Sequence, residues 1–267
     1  ARLWRKKTMI VLTGSAPNDA LYNYGHWLFG LGGIIIPPIL EILDRIDYKL
    51  ANILVMNRVT PPVHLPAELA PHEEKIRFND YSFVDCDSFS VKKAIYERGN
   101  TVGYIGRLTE GKGIINLVRA MPLILEMCPD VNFLIGGDGA LFNQLKQETE
   151  NSNLNSKVTF TGWIPYEELP DYLNKLALYV HPSYSEGLPH GPLEAMACGT
   201  PVLATPVGST PEFIIDEQTG FILENNSPEC IARDVIRALE HPNLAKIVTE
   251  ARHLVEESYG YEAMTKR

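Results

Sequence analysis

The chain has 267 residues, a formal net charge of −9 and 45% hydrophobic residues, which is enough apolar material for one large or two ordinary globular cores. Its acidity argues against a general nucleic-acid binder, because binding the phosphate backbone requires a clustered basic surface. The four cysteines show neither CxxC spacing nor the density of a disulfide framework, so we expect reduced thiols in a cytoplasm.

Residues 1 to 85 contain too few predicted elements for a complete doubly wound domain. A strand is predicted in KTMIVLTG, from Lys7 to Gly14, and a helix leading into a strand is predicted from Pro38 to Asn57. A proline-rich connection follows from Val59. We therefore expect residues 1–85 to form part of an N-terminal α/β domain with a linker, and residues 86–267 to form a second domain.

The longest uncharged run extends from Trp27 to Leu40 and reads WLFGLGGIIIPPIL. It is too short, and too interrupted by glycine and proline, to span a bilayer. One interpretation is a buried or partner-covered segment; the other is a peripheral contact with a membrane surface. The first residues, ARLWRKK, are not followed by a clear cleavage signature, so we predict no signal peptide. We expect a cytoplasmic protein, with contact at the inner face of the membrane as the alternative.

From Thr101 onward, short β-branched runs alternate with helical patterns, which is typical of an α/β fold with a parallel sheet covered by helices. We predict a Rossmann-like, doubly wound domain that ends in two helices. The predicted strands lie in TVGYIGRL, VNFLIGG, KVTFTG, LALYVHP, PVLAT and TGFILE.

A glycine-rich turn, GRLTEGKG, follows the first of these strands and contains Gly106, Arg107, Lys112 and Gly113. In open α/β sheets, ligands bind at the carboxyl ends of the strands. Arginine offers a planar fork of donors and lysine a compact charge, which together suit a diphosphate. Taken alone, the turn is more consistent with a solvated surface loop than with a ligand site. It lacks the Walker pattern, and GGDGAL does not complete GxGxxG, which argues against P-loop enzymes and ordinary NAD dehydrogenases.

The stretch SEGLPHGPLEAMACGT contains two glutamates, Glu186 and Glu194, eight residues apart. Pro192 suits the first position of a helix, which would make Gly191 the N-cap and Glu194 the third helical residue. A carboxylate there is favoured by the helix dipole, so helix capping alone gives Glu194 an ordinary role. The alternative is a ligand role, since a carboxylate accepts the paired hydroxyls of a ribose.

Glu186 precedes the bend and is predicted to face a different part of the same ligand. The prolines of the bend have no N–H group to offer, whereas the residues around them do. The backbone donors that we expect to face an anion are those of Gly187, Leu188, His190 and Gly191.

The segment EGLPHGPLEAMACGTPVLATPVGSTPEFI strongly resembles the signature of the large retaining glycosyltransferase family often numbered four, which has the GT-B fold. The likeness runs from about Phe83 to Tyr259. Within it, YIGRLTEGKG resembles the phosphate loop of the family, GGDG its second glycine turn, VHPSYSEG the approach to the signature and TGFILE the strand after it. Several matches in the right order make this resemblance specific.

The resemblance implies that Arg107, Lys112 and Glu186 act in catalysis. Arg107 and Lys112 would hold the diphosphate of a nucleotide-sugar donor and stabilise the leaving group, and Glu186 would contact hydroxyls of the sugar. Glu194 would bind the ribose, and the loop at Ile164 would lie near the base. Transfer would retain the anomeric configuration. The implied donor-binding residues are Gly106, Gly137, Ile164, Gly187, Leu188, His190, Gly191 and Glu194.

The resemblance also implies that no cofactor and no metal are needed. Asp85 and Asp87 superficially match a metal-binding DxD, but they fall where the family has its interdomain linker. His181 is interpreted as a structural histidine at a strand end, and His190 as either a rim residue or a donor contact.

Two features depart from the family pattern. The family often has a histidine shortly after its first such strand, and this chain instead reads Thr13 to Ala16. The glycine-rich entry loop is not found, so we expect a fragment that carries an intact donor half. The acceptor, a sugar or a lipid-linked glycan, is left open, as is the alternative of a non-catalytic nucleotide-sugar-binding module. A GT-B epimerase or phosphorylase is a third class, with no residue in its favour.

Overall fold

The computed structural model describes residues 9–12, 46–56, 69–78 and 83–265. The chain divides into two compact units, Ala1–Ser82 and Phe83–Arg267. The division falls close to the boundary that the sequence places after residue 85. The segment Trp27 to Leu40 and the stretch Thr13 to Ala16 lie outside the described residues.

The first unit contains a parallel three-stranded sheet in the order β1-β2-β3. These strands are β1 (Met9–Leu12), β2 (Ile53–Met56) and β3 (Ile76–Phe78). Residues 46–50 are helical and lead into β2, which confirms the predicted order of helix and strand. A 3-10 helix, Ala70–Lys75, precedes β3.

The second unit is built on a six-stranded sheet in the order β6-β5-β4-β7-β8-β9, and every neighbouring pair is parallel. All six predicted strands are confirmed. They are β4 (Thr101–Ile105), β5 (Asn132–Gly136), β6 (Val158–Gly162), β7 (Leu178–His181), β8 (Val202–Ala204) and β9 (Phe221–Ile222).

Helices connect the strands and cover the sheet of the second unit. In the first of them, the buried residues Ile114, Leu117, Val118, Met121 and Ile124 recur at the spacing of one helix face, which is why this segment packs as an amphipathic helix. The helices are α1 (Ile114–Met127), α2 (Phe142–Asn151), α3 (Leu169–Leu173), α4 (His190–Ala197), α5 (Thr210–Phe213), α6 (Pro228–Leu239), α7 (Leu244–Ser258) and α8 (Tyr261–Thr265).

The direction in which strands are added to this sheet reverses at one point, between β4 and β7. The chain adds β5 and β6 on one side of β4 and then returns to add β7 on the other side. At such a reversal the two connections leave in opposite directions, and a crevice opens between the carboxyl ends of the two central strands. The turn GRLTEGKG follows β4 and the segment PSYSEG follows β7, so the fold brings both predicted motifs to this crevice.

Candidate functional site

The two loops at the crevice are tied together through their backbones. The N–H of Tyr184 donates to the carbonyl of Gly111, with 2.9 Å between nitrogen and oxygen. Gly113 has a left-handed φ of 63°, and a Cβ atom at this position would overlap the carbonyl oxygen of Pro182. Only glycine fits there, because it has no Cβ and tolerates positive φ. This close approach sets the position of Lys112 relative to the end of β7.

Replacing Gly113 with alanine is therefore expected to destabilise the protein more than the same change at Gly162. Gly162 also has a left-handed φ, 69°, but nothing lies within 4 Å of its would-be Cβ. Both variants incur the backbone strain, about 1 kcal/mol, and Gly113→Ala adds at least about 1 kcal/mol for the overlap. Chemical denaturation of the two variants measures the difference, and equal losses would contradict the proposed tie between the loops.

Glu186 is the side chain on which the charged groups of the crevice converge. Its Oε1 lies 2.6 Å from Lys112 Nζ and 2.7 Å from His181 Nε2. The Glu186 side chain is only 8% exposed. Burial by itself would raise the pKa of Glu186, but the hydrogen bond from His181, the charge of that ring and the contact with Lys112 lower the pKa to about 2. Glu186 is therefore ionised at neutral pH.

Two buried tyrosines hold the backbone at the carboxyl end of β4 and in the turn that follows it. Tyr104 donates its hydroxyl to the carbonyl of Arg107 and Tyr179 donates to the carbonyl of Ile105, each at 2.8 Å. Burial raises the pKa of Tyr104, the Glu186 carboxylate raises it further and Arg107 lowers it.

The pKa of Tyr179 is also raised, first by burial and then by several neighbours that include both Glu194 and Glu186. Both glutamates and Arg107 therefore lie within electrostatic reach of one layer of rings under the crevice. The sequence motifs do not point to these tyrosines. The feature that could have indicated them is a tyrosine, with its polar hydroxyl, within each of two strands that are otherwise mostly aliphatic and buried.

The same hydroxyls explain two of the predicted glycines. A Cβ at Gly106 would lie 2.8 Å from the Tyr104 hydroxyl, and a Cβ at Gly191 would lie 2.6 Å from the Tyr179 hydroxyl. Gly137 has a φ of 111°, and a Cβ there would overlap the carbonyl of Gly106. These glycines are needed for the packing of the protein against itself, in addition to any role in approaching a ligand.

The helix that carries Glu194 begins earlier than the sequence predicts. The N-cap is Pro189 and α4 begins at His190, so the prediction of Gly191 as N-cap and Glu194 as third helical residue is wrong. Proline is tolerated throughout the first turn, where its missing N–H has no acceptor, so Pro192 marks the turn without fixing its first residue. Glu194 lies beyond the first turn, which removes most of the helix-dipole explanation for its presence.

Glu194 is a partly buried carboxylate without a protein partner. Across residues 83–265 and the shorter described segments, its oxygens have no hydrogen bond or ion pair. Burial raises the pKa of Glu194 to about 7. A carboxylate held in this way costs stability unless something compensates it.

Two arginines hold the far end of α4. Arg98 is 8% exposed and donates to the carbonyl of Cys198 at 2.7 Å, and Arg252 donates to the carbonyl of Ala197. Cations near the last carbonyls of a helix stabilise it. The helix is therefore fixed at its carboxyl end, which leaves its first turn, with the N–H groups of His190 and Gly191, at the crevice.

The other predicted residues border the same crevice. Arg107 is exposed, and its guanidinium has no hydrogen bond or ion pair within the part of the chain that the structure describes. Gly187 accepts a hydrogen bond from the backbone of Ser209 at 2.9 Å, and Leu188 is half-buried. Ile164 packs at the end of β5, where its Cδ1 would lie 2.7 Å from a Cβ placed on Gly136.

Asp85 has a local structural role. Its carboxylate accepts hydrogen bonds from the backbone of Asp87 at 3.1 Å and from the hydroxyl of Ser88 at 2.7 Å. The hydrogen bonds from Ser88 lower the pKa of Asp85. Within the described residues, no group of three or more His, Cys, Asp or Glu side chains is arranged to hold a metal ion.

A cavity of about 570 Å³ lies at the opposite end of the sheet. Its lining includes Asn100, Val131 and Ala177, which directly precede β4, β5 and β7. None of the predicted donor-site residues lines this cavity. No helix among the described residues is long and apolar enough to cross a membrane.

Known proteins of similar sequence match about three fifths of the chain. An uncharacterised glycosyltransferase of Methanocaldococcus jannaschii is 32% identical over 166 residues, which is 61% of this chain and 42% of that protein. The gpi3 subunit of a phosphatidylinositol N-acetylglucosaminyltransferase from Schizosaccharomyces pombe is 31% identical over 62% of this chain and 36% of its own. The chain thus spans less than half the length of these relatives.

Solved structures match nearly the whole chain or about two thirds of it. HepE of Anabaena, in complex with UDP and glucose, has a TM-score of 0.76 at 18% identity and covers 99% of this chain and 71% of its own. The C-terminal domain of a group 1 glycosyl transferase, LpcC of Francisella tularensis, has a TM-score of 0.60 at 26% identity and covers 67% of this chain and 99% of its own. The predicted Rossmann-like GT-B fold class is confirmed by these similarities.

The family model described as glycosyl transferases group 1 matches residues 86–254, which is more than half of the sequence. The match includes the turn after β4, the segment after β7 and helix α4. The chain belongs to the glycosyl transferases group 1 family.

Proposed function

We propose that the protein transfers a sugar from a nucleoside diphosphate sugar to an acceptor, with retention of the anomeric configuration, and that this chain carries the donor site. The observation that carries the proposal is the crevice at the ends of β4 and β7. There, an ammonium is bound to an ionised glutamate, and a guanidinium and a second carboxylate have no partner among the described residues. A ligand with an anionic centre and hydroxyl groups on both sides of it complements this arrangement.

The diphosphate would lie between Arg107, Lys112 and the first turn of α4. Lysine has three N–H donors, and the contact with Glu186 uses one of them, which leaves two for phosphate oxygens. The backbone N–H groups of His190 and Gly191 have no acceptor within the helix. A helix N-terminus with such free donors favours an anion.

The hydroxyl groups of the donor would bind the two glutamates. Glu194 would accept hydrogen bonds from the ribose, which would compensate a carboxylate that has no partner in the described part of the chain. Lys112 and His181 both contact Oε1 of Glu186, so Oε2 is the atom proposed to accept from the transferred sugar. Binding at these two points would fix the orientation of the donor.

UDP is the first candidate for the nucleotide, since HepE binds UDP and glucose and TarM of Staphylococcus aureus was solved with UDP. The base would lie near Ile164, beside the exposed Trp163 and Tyr166.

In the reaction, Arg107 and Lys112 would stabilise the negative charge that develops on the leaving diphosphate. Preorganised donors aimed at developing charge are a large contribution to catalysis. We propose that the reaction needs no resident cofactor, because side chains of the site supply the positive charge that stabilises the leaving diphosphate. The acceptor is proposed to be a sugar or a lipid-linked glycan, with Trp27 to Leu40 as the contact with a membrane surface.

Thermal unfolding of the chain in the presence of UDP, UDP-glucose, UDP-N-acetylglucosamine, ADP, GDP and NAD tests the proposal. A ligand present at a hundred times its dissociation constant stabilises the folded state by about 2.7 kcal/mol. We expect stabilisation by a nucleoside diphosphate or its sugar and none by NAD. Absence of a response to every nucleotide would contradict the proposal.

A further inference from the structure

We propose that His181 is a positioning residue that holds Glu186 for the sugar half of the donor, an inference that rests on the proposed function. His181 is the last residue of β7 and is 5% exposed. Its Nε2 lies 2.7 Å from Glu186 Oε1 and 3.2 Å from the hydroxyl of Ser183. The sequence predicts only a structural histidine here, so the contact with a donor-site glutamate adds a role that neither the sequence nor the family assignment supplies.

The imidazole ring is held rigidly. It stacks beside Tyr179, with ring centroids 6.0 Å apart and an angle of 16°, and beside Tyr104, at 6.4 Å and 13°. These separations are within the range of favourable aromatic contacts. The hydroxyl of Tyr179 is anchored to the backbone of the last residue of β4, and that of Tyr104 to the backbone of the turn after it. A group on a packed strand is positioned more precisely than a group on a loop.

The hydrogen bonding of the ring indicates which of its nitrogens is the donor. An ionised carboxylate only accepts, so Nε2 carries the proton that it donates to Glu186. His181 Nδ1 is buried without a hydrogen-bond partner among the described residues. Among the described residues, the ring therefore makes its polar contacts through Nε2 alone, with Glu186 and with the hydroxyl of Ser183.

His181 and Lys112, the two partners of Glu186, have different roles in this arrangement. Lys112 has a flexible stem and is proposed to bind the diphosphate as well. Glu186 itself lies outside regular secondary structure, and the adjacent carbonyl of Gly187 is fixed by the backbone of Ser209 at 2.9 Å. His181 is therefore the rigid partner that keeps Oε1 in place and leaves Oε2 directed at the sugar when Lys112 engages phosphate.

Calorimetric titration of the full chain with UDP, UDP-glucose and UDP-N-acetylglucosamine tests this role. The variant His181→Phe keeps an aromatic ring and removes the hydrogen bond, and His181→Gln restores a donor at a similar position. We expect His181→Phe to keep the affinity for UDP within about twofold and to lose about tenfold in affinity for the preferred UDP-sugar. His181→Gln is expected to recover part of that loss.

The matched control is His241→Phe, because His241 also faces a glutamate, with Nε2 3.7 Å from Glu217 Oε2, and it lies outside the crevice. This variant is expected to leave all affinities unchanged. An equal loss of affinity for UDP and UDP-sugar in His181→Phe, or no loss for either, would overturn the inference. If wild-type protein fails to bind UDP at all, the proposed function fails, and the inference fails with it.

Nitrogen-15 NMR of histidine in the wild-type protein keeps the inference testable even if His181→Phe does not fold. We expect the His181 ring to carry a proton on Nε2, the nitrogen that donates to Glu186. A proton on Nδ1 instead would overturn the assigned hydrogen bond to Glu186.

Discussion

Replacing Arg107 with alanine is expected to slow sugar transfer by the whole protein about a hundredfold. Arg107 is exposed at the crevice and, within the described residues, has no protein partner, so its charge is available to the leaving diphosphate. Removing one preorganised donor to developing charge costs about 3 kcal/mol, which corresponds to roughly a hundredfold in rate. Steady-state measurement of UDP release from the donor reports the loss.

The matched control is Arg119→Ala. Arg119 lies on α1, where it forms an exposed ion pair with Glu148 at 3.1 Å. Surface pairs of this kind contribute about 1 kcal/mol or less, so this variant is expected to transfer sugar at the wild-type rate. An Arg107→Ala variant that is as active as Arg119→Ala would remove Arg107 from the proposed catalytic residues.

Replacing Glu194 with glutamine is expected to increase the stability of the protein over that of wild type more at pH 8 than at pH 4. Burial raises the pKa of Glu194 from its ordinary 4.5 to about 7. The folded protein thus keeps a proton that the unfolded chain releases, so wild-type stability declines as the pH rises from about 4.5 to about 7. The difference between these values corresponds to up to about 3 kcal/mol. Chemical denaturation at both pH values measures whether the glutamine variant lacks this decline.

Glu186→Gln provides the comparison with the opposite sign. The folded-state pKa of Glu186 is lowered to about 2, so its ionised form stabilises the protein above the ordinary value of 4.5 and that stability is lost as the pH falls through about 2. We therefore expect Glu186→Gln to be less stable than wild type at pH 8. If both variants respond to pH in the same direction, the different environments assigned to the two glutamates are wrong.

The strands and the crevice could be predicted because they depend on local patterns and on a general rule. Runs such as VNFLIGG and LALYVHP are short, apolar and bounded by turn residues. Once these strands are parallel, their carboxyl ends share one edge of the sheet. This is why Lys112 and Glu186, which are 74 residues apart in sequence, could be expected in one site before their contact at 2.6 Å was known.

The details that the sequence did not predict correctly depend on tertiary contacts, or on two local signals that predict different starts for the same helix. Pro189 and Pro192 both suit the start of a helix, and sequence alone does not choose between them. The contact of His181 with Glu186 arises from the turn after β7, and the caps that Arg98 and Arg252 place on α4 come from segments distant in sequence. Such pairings are set by packing, which no local pattern records.

We propose above all that a nucleoside diphosphate sugar binds at the carboxyl ends of β4 and β7. The most direct test compares the stabilisation of the wild-type chain by UDP or its sugar with that of the double variant Arg107→Ala/Glu194→Ala and of the control Arg119→Ala/Glu148→Ala. We predict that the control is stabilised like wild type and that the Arg107→Ala/Glu194→Ala variant is not stabilised. An undiminished response in the Arg107→Ala/Glu194→Ala variant would place the nucleotide elsewhere, for example in the cavity at the other end of the sheet, and would contradict the donor site assigned to these residues.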